Sequence, residues 1–176
     1  RDRSMILVLL DCGLRVSELV GVQLQDIDWA DQTIRVLGKG NKERVVPFGQ
    51  GTKSALTAWL TKRASLETES LWCNHYGEPM RRWRVRDMLT DRGAKAGITG
   101  VRCSPHTLRH TCAVSYLRAG GDLLTLQRLL GHSSVAVTQR YLESIKSEDV
   151  ANAHKAYSPV DRLTGAKAKT GRRRLR

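Results

Sequence analysis

No stretch of this chain is apolar over the length needed to cross a bilayer, and no charged-then-apolar leader opens it. A soluble, cytoplasmic protein is the expectation. The four cysteines, Cys12, Cys73, Cys103 and Cys112, include no CxxC pair, so a disulfide framework is not expected. Cys103, His106, His110 and Cys112 stand close together, but the stretch between them reads as one helix, which cannot turn four ligands onto one tetrahedral point. No GxxxxGK[ST] loop cradles a nucleotide phosphate, and no carboxylate cluster suggests a two-metal nuclease. Neither a metal nor another cofactor is therefore expected. There is no internal repeat.

Acidic side chains are also scarce. The 176 residues carry 17 Asp and Glu against 30 Lys and Arg, a formal charge of +13 with a pI near 10.2. Such an excess points to a polyanionic partner, because neutralising phosphates releases their counterions. An acidic membrane surface would want a basic amphipathic helix with a broad aromatic face, which is missing. On composition alone, a merely solvated basic surface stays open. Length and a 40% hydrophobic content fit one ordinary globular domain.

What is present is mostly helical. Residues 3–11 predict an apolar helix ended near Gly13, and 16–20 a second short one. Residues 33–48 change to a two-residue period around Gly38-Lys39-Gly40-Asn41, the pattern of a β-hairpin with a glycine-rich tip. Helices follow at 52–64 and, strongly basic, at 82–96. Ser104 and Pro105 open another, which Gly120-Gly121 stops. Asp122 caps the next, with Leu123, Leu126, Leu129 and Leu130 as its inward stripe and Gly131 as its stop. Ser133 or Ser134 starts a short helix expected to carry Tyr141, and 147–157 predicts one more before Pro159. The tail after Arg162 holds no acidic residue and is expected to be mobile. A compact domain rarely begins inside an amphipathic helix, so the chain is expected to be a fragment of a longer protein.

Six side chains could do chemistry: Arg15, Lys39, His106, Arg109, His132 and Tyr141. Taken singly, each has an ordinary explanation. Arg15 could pair with Glu18 on a helix face, Lys39 could solubilise a hairpin tip, His132 could sit favourably at a helix C-terminus, and Tyr141 could be a packing residue. Together they read differently. His106 and Arg109 share a face at a helix N-terminus, where free N–H groups already favour phosphate. Two guanidiniums, Arg15 and Arg109, can grip the oxygens of one phosphate bidentately and stabilise a pentacoordinate phosphorane.

The motifs GLRVSEL (13–19), GKGNKERVVP (38–47), HTLRH (106–110) and LGH (130–132), with Tyr141 nine residues after His132, resemble the tyrosine recombinase/phage integrase family, and its Xer-type recombinases most of all. The resemblance implies an α+β, mainly helical catalytic domain over 1–157 with a small antiparallel sheet, followed by a basic tail at 158–176. It also implies that the family's N-terminal core-binding domain lies outside this chain. It makes Tyr141 the nucleophile that forms a 3′-phosphotyrosyl link and makes Arg15 and Arg109 the phosphate grip. By the same resemblance Lys39 protonates the leaving 5′-oxygen, His106 assists proton transfer, His132 hydrogen-bonds a phosphate oxygen, and Glu18 orients Arg15. Double-stranded DNA is then the partner. Lys42 and Arg44 are expected on its backbone beside the cut, and Arg81, Arg82, Arg84, Arg86 and Arg92 on a wider contact surface. Helix 147–157 is expected to dock into a neighbouring protomer of a tetramer on DNA. Two other readings keep the same residues in play: a type IB topoisomerase, whose family generally has lysine where His106 stands, and a non-catalytic DNA-binding protein on the same fold.

Overall fold

In the computed structural model the described residues are 1–38, 40–157 and 160. Lys39, Pro159 and the basic tail, on each of which the sequence raised an expectation, lie outside them, Val160 apart. Helix α1 (Asp2–Cys12) buries Met5, Val8, Leu9 and Cys12, and ends on Gly13 at φ 61°. Only glycine adopts this left-handed conformation without strain, and the site below depends on the turn. Helix α2 (Val16–Gly21) follows directly.

Three short strands, β1 (Ile27–Asp28), β2 (Thr33–Leu37) and β3 (Glu43–Pro47), form an antiparallel sheet in that order. The register pairs Ile34 with Val46 and Val36 with Arg44. Because side chains alternate across a strand, Arg44 shares the inward face with Val46. The hairpin closes with Gly38 N–H donating to the Lys42 carbonyl (2.8 Å). Sequence reading missed β1, which is two residues long and too short to show a period.

Helix α3 (Gln50–Arg63) is tied to α1 by Asp11, whose carboxylate accepts from the Gly49 N–H (2.7 Å) and the Thr52 hydroxyl (2.6 Å). It buries Leu56 and Trp59 over a segment where Leu71, Trp72 and Cys73 are also buried. Helix α4 (Arg82–Lys95) buries Val85, Leu89 and Gly93, three positions at four-residue steps, and leaves its arginines outside. Helix α5 (Pro105–Arg118) starts where Ser104 Oγ accepts the Thr107 N–H (3.2 Å). Helix α6 (Leu123–Leu130) is capped by Asp122 and buries Leu126 and Leu130, while Leu123 and Leu129 are only half-buried. It ends on Gly131 at φ 63°.

Helix α7 (Val135–Gln139) is capped by Ser134. It does not carry Tyr141, contrary to expectation. The chain tightens after Gln139 into a 3-10 turn (Arg140–Ser144), closed by the Ile145 N–H on the Leu142 carbonyl (2.9 Å). That turn packs Tyr141 against a small core of Ala113, Leu126 and Leu130. Helix α8 (Ser147–Tyr157) is held at its start by Arg118, whose Nε donates to Asp149 Oδ2 (3.3 Å). Its Val150 is exposed. Among the described residues no helix is long and apolar enough to cross a membrane.

Candidate active site

The site is organised by the C-terminal end of α6. A helix leaves its last carbonyls without intrahelical donors and concentrates negative partial charge there. The carbonyls of Gln127 and Arg128 are taken by the N–H groups of His132 and Gly131 (3.1 Å each). The next three accept from arginines: Leu129 from Arg44 Nε (3.0 Å), Leu130 from Arg109 Nη2 (2.7 Å) and Gly131 from Arg15 Nη2 (3.3 Å). Arg109 also donates through Nη1 to the Gly13 carbonyl (2.5 Å), so the ends of α1 and α6 meet on one guanidinium. Burial, and then the charge of Arg15, lower the pKa of Arg109.

Three cations at one helix end need a counter-charge, and Glu18 supplies it. Its buried carboxylate accepts from the Arg15 N–H (2.7 Å), Arg15 Nη1 (2.9 Å), Arg44 Nη1 (2.7 Å) and Arg44 Nη2 (2.9 Å). Burial pushes this carboxyl up, but the hydrogen bonds from Arg44 and Arg15 outweigh it and hold the pKa below the ordinary value.

Around this frame lies a pocket of about 670 Å³ whose walls include Arg15, His106, Arg109, His132 and Tyr141. Five of the six expected residues, drawn from four separate stretches of chain, thus converge on one cavity; the sixth, Lys39, lies outside the described residues. Tyr141 stands between two histidines. Its ring lies parallel to His132 (centroids 6.2 Å, 12° between planes) and meets His110 edge-on (5.4 Å, 67°). His132 is hydrogen-bonded at both nitrogens, Nε2 to Arg109 Nη2 (2.8 Å) and Nδ1 to Thr138 Oγ1 (2.9 Å). A guanidinium only donates, so Nε2 accepts and the ring is neutral with its proton on Nδ1. Burial, and then the charges of Arg109 and Arg15, push its pKa down to about 4.

The other expected DNA contacts divide. Arg86 is exposed and lines the pocket, while Lys42 on the hairpin, Arg81 just before α4, and Arg82 and Arg84 on it are exposed outside the pocket. Arg84 rests against the Trp83 ring, 4.9 Å from its centre. Arg44 is corrected: its guanidinium is turned inward onto Glu18 and Leu129 by strand alternation, and its side chain is 14% exposed. Arg92 is likewise committed, to Asp2 at 2.6 Å. Sequence reading missed Arg102, an exposed wall residue in the loop before α5, and Thr138, which is fully buried on α7. Neither lies in a motif that would single it out. Among the described residues no three His, Cys, Asp or Glu side chains converge as metal ligands.

Gly131 is where this frame is most easily broken. A Cβ there would stand 2.9 Å from Arg44 Nη1 and 3.0 Å from its Cδ and Cζ, at a positive φ. Arg44 cannot swing away without leaving Glu18. Gly131→Ala is therefore expected to cost about 1–3 kcal/mol, read as a lower midpoint in denaturant unfolding. An unchanged midpoint would show that Arg44 is not fixed.

A mainly helical domain with a three-stranded antiparallel sheet and this arginine-lined pocket beside a tyrosine has the architecture of a tyrosine recombinase catalytic domain. The phage integrase family pattern matches residues 1–148, and the chain belongs to that family. It is 45% identical over 152 residues to the tyrosine recombinase XerC of Listeria monocytogenes serotype 4a, across 83% of this chain and 50% of the relative. Among solved structures, XerA recombinase superposes with a TM-score of 0.78 at 32% identity, covering 90% of this chain and 56% of that one. XerH site-specific recombinase, bound to palindromic difH substrate in a post-cleavage complex, superposes with a TM-score of 0.74 at 25% identity, covering 92% and 46%. The chain thus spans about half the length of the relatives it matches.

Proposed function

We propose that this chain is the catalytic part of a site-specific DNA recombinase that cuts and reseals strands through a covalent tyrosine intermediate, without metal or ATP. The observation that carries this reading is the shared pocket of Arg15, Arg109, His106, His132 and Tyr141. Arg15 and Arg109 neutralise the non-bridging oxygens of the scissile phosphate, where negative charge grows as the phosphorus becomes pentacoordinate. The Tyr141 oxygen bonds to phosphorus as the bond to the 5′-oxygen breaks. The phenol proton passes to His106, and Lys39 supplies the proton that the departing 5′-oxygen takes up. A free phenol titrates near pH 10, so it needs this acceptor and cationic field at neutral pH. The 3′-phosphotyrosyl link keeps the energy of the phosphodiester, and attack by a 5′-hydroxyl reverses the step.

Duplex DNA is the partner, met by Lys42, Arg81, Arg82, Arg84 and Arg86 around the pocket, and the protein works in the cytoplasm. The assembly is a tetramer on DNA, joined through α8, whose Val150 stands clear for a neighbour. The kinship with recombinases favours this reading over topoisomerase-like relaxation or catalytically silent binding. A duplex nicked just beyond the cut loses the short fragment that carries the new 5′-hydroxyl and traps the intermediate. The expected result is a covalent adduct whose DNA-bearing peptide contains Tyr141. Failure of the full-length protein to form any adduct on its own site would refute the proposal.

A further inference from the structure

His132 is bound by two partners of different kinds. Arg109 holds Nε2 and can only donate, and Thr138 Oγ1 holds Nδ1 (2.9 Å). With its proton on Nδ1, the ring has no N–H to offer a phosphate oxygen. A ligand that draws Arg109 onto itself removes the donor from Nε2 and leaves that nitrogen facing the pocket.

We infer that Thr138 is a positioning residue that lets His132 change from acceptor to donor at Nε2 when a DNA phosphate takes over Arg109. This rests on the reading above that His132 meets the scissile phosphate. A hydroxyl is suited to the task because it both accepts and donates. In the free protein it accepts from Nδ1–H. Once Arg109 turns to the phosphate, the ring releases the Nδ1 proton to water and takes one from water at Nε2. The hydroxyl then rotates and donates to Nδ1. Protons balance and the ring stays neutral. Neutrality suits its surroundings, since Arg109, Arg15 and Arg44 face it as cations against the carboxylate of Glu18, with the Tyr141 phenol on its flank. Thr138 is fully buried, and Gln127 Nε2 donates to the His132 carbonyl (3.1 Å), so ring and hydroxyl are held in register.

Valine is close to threonine in shape but lacks the hydroxyl, whereas serine keeps it. In the full-length protein, Thr138→Val is expected to slow adduct formation on the nicked duplex by about 10–100-fold with duplex affinity unchanged, and Thr138→Ser to retain most of the rate. The direct readout is nitrogen NMR of the His132 ring. The Nδ1–H form is expected in the free protein and the Nε2–H form in the complex of Tyr141→Phe with intact duplex. Wild-type cleavage by Thr138→Val, or an Nδ1–H ring persisting in the DNA complex, would overturn the role given to Thr138. A wild type that forms no adduct strikes instead at the function assigned to the pocket, and the ring's state in the complex still decides the role of Thr138.

Discussion

Tyr141→Phe is expected to abolish the covalent adduct while leaving fold and duplex binding in place. The ring of Tyr141 packs on Ala113, Leu126 and Leu130, lies parallel to His132 and meets His110 edge-on; phenylalanine keeps all of these contacts. Only the oxygen goes. Removing one hydroxyl from a half-buried ring changes stability by less than about 1 kcal/mol. The cationic wall proposed to grip phosphate is untouched, so duplex affinity and its salt dependence should match the wild type. The chemistry has no such reserve, because neither flanking histidine can replace the phenol oxygen in line with the leaving group. Adduct formation should fall by more than about 10⁴-fold, the scale seen when an enzyme loses its nucleophile. Denaturing electrophoresis of the protein with a nicked duplex reads this directly. An adduct that persists in Tyr141→Phe would place the nucleophile elsewhere and undo the mechanism.

Arg15, His106, Arg109, His132 and Tyr141 were legible as a group because their types are uncommon together and stand in a fixed order. Gly13, Gly131 and the Ser104 cap were legible for a local reason, since turns and helix ends impose their own chemistry. Arg44 was misread although the means to read it were present. It stands two residues from Val46, so strand alternation alone turns it inward with the core, and its charge drew it instead toward the DNA surface. Tyr141 was set on a helix because nothing between Ser134 and Ile145 breaks one; neither glycine nor proline marks the change to a tighter turn. Thr138 and Arg102 could not be read at all. A threonine inside a short helix and an arginine in a loop acquire meaning only from what the fold sets opposite them.

Loss of Glu18 is where the largest stability effect is expected. Its carboxylate lies among Arg15, Arg44 and, through the α6 terminus, Arg109, and its side chain is 2% exposed. Glu18→Ala leaves these guanidiniums crowded at one helix end with no counter-charge. Removing one partner of a buried pair costs about 3–5 kcal/mol, a large share of the roughly 5–15 kcal/mol that holds a typical domain folded. Glu18→Gln keeps the shape and one acceptor oxygen and should cost less. The pH dependence identifies the cause. The folded carboxyl titrates below its unfolded value, so its contribution is complete above the unfolded carboxylate pKa and is lost as pH falls through the folded one. His132 acts in the same sense: its depressed pKa lets the unfolded chain take up a proton first as pH drops from about 6.5 toward about 4. Both wild type and variant retain that histidine, so the difference between their unfolding free energies chiefly isolates the carboxylate. That difference should be full at neutral pH and shrink once the medium is acid enough to protonate Glu18 in the folded protein. Inorganic phosphate should stabilise Glu18→Ala more than wild type, because the uncovered guanidiniums present it with an anion site. A variant that unfolds at the wild-type midpoint, with no added response to phosphate, would show that the arginine frame stands without its carboxylate.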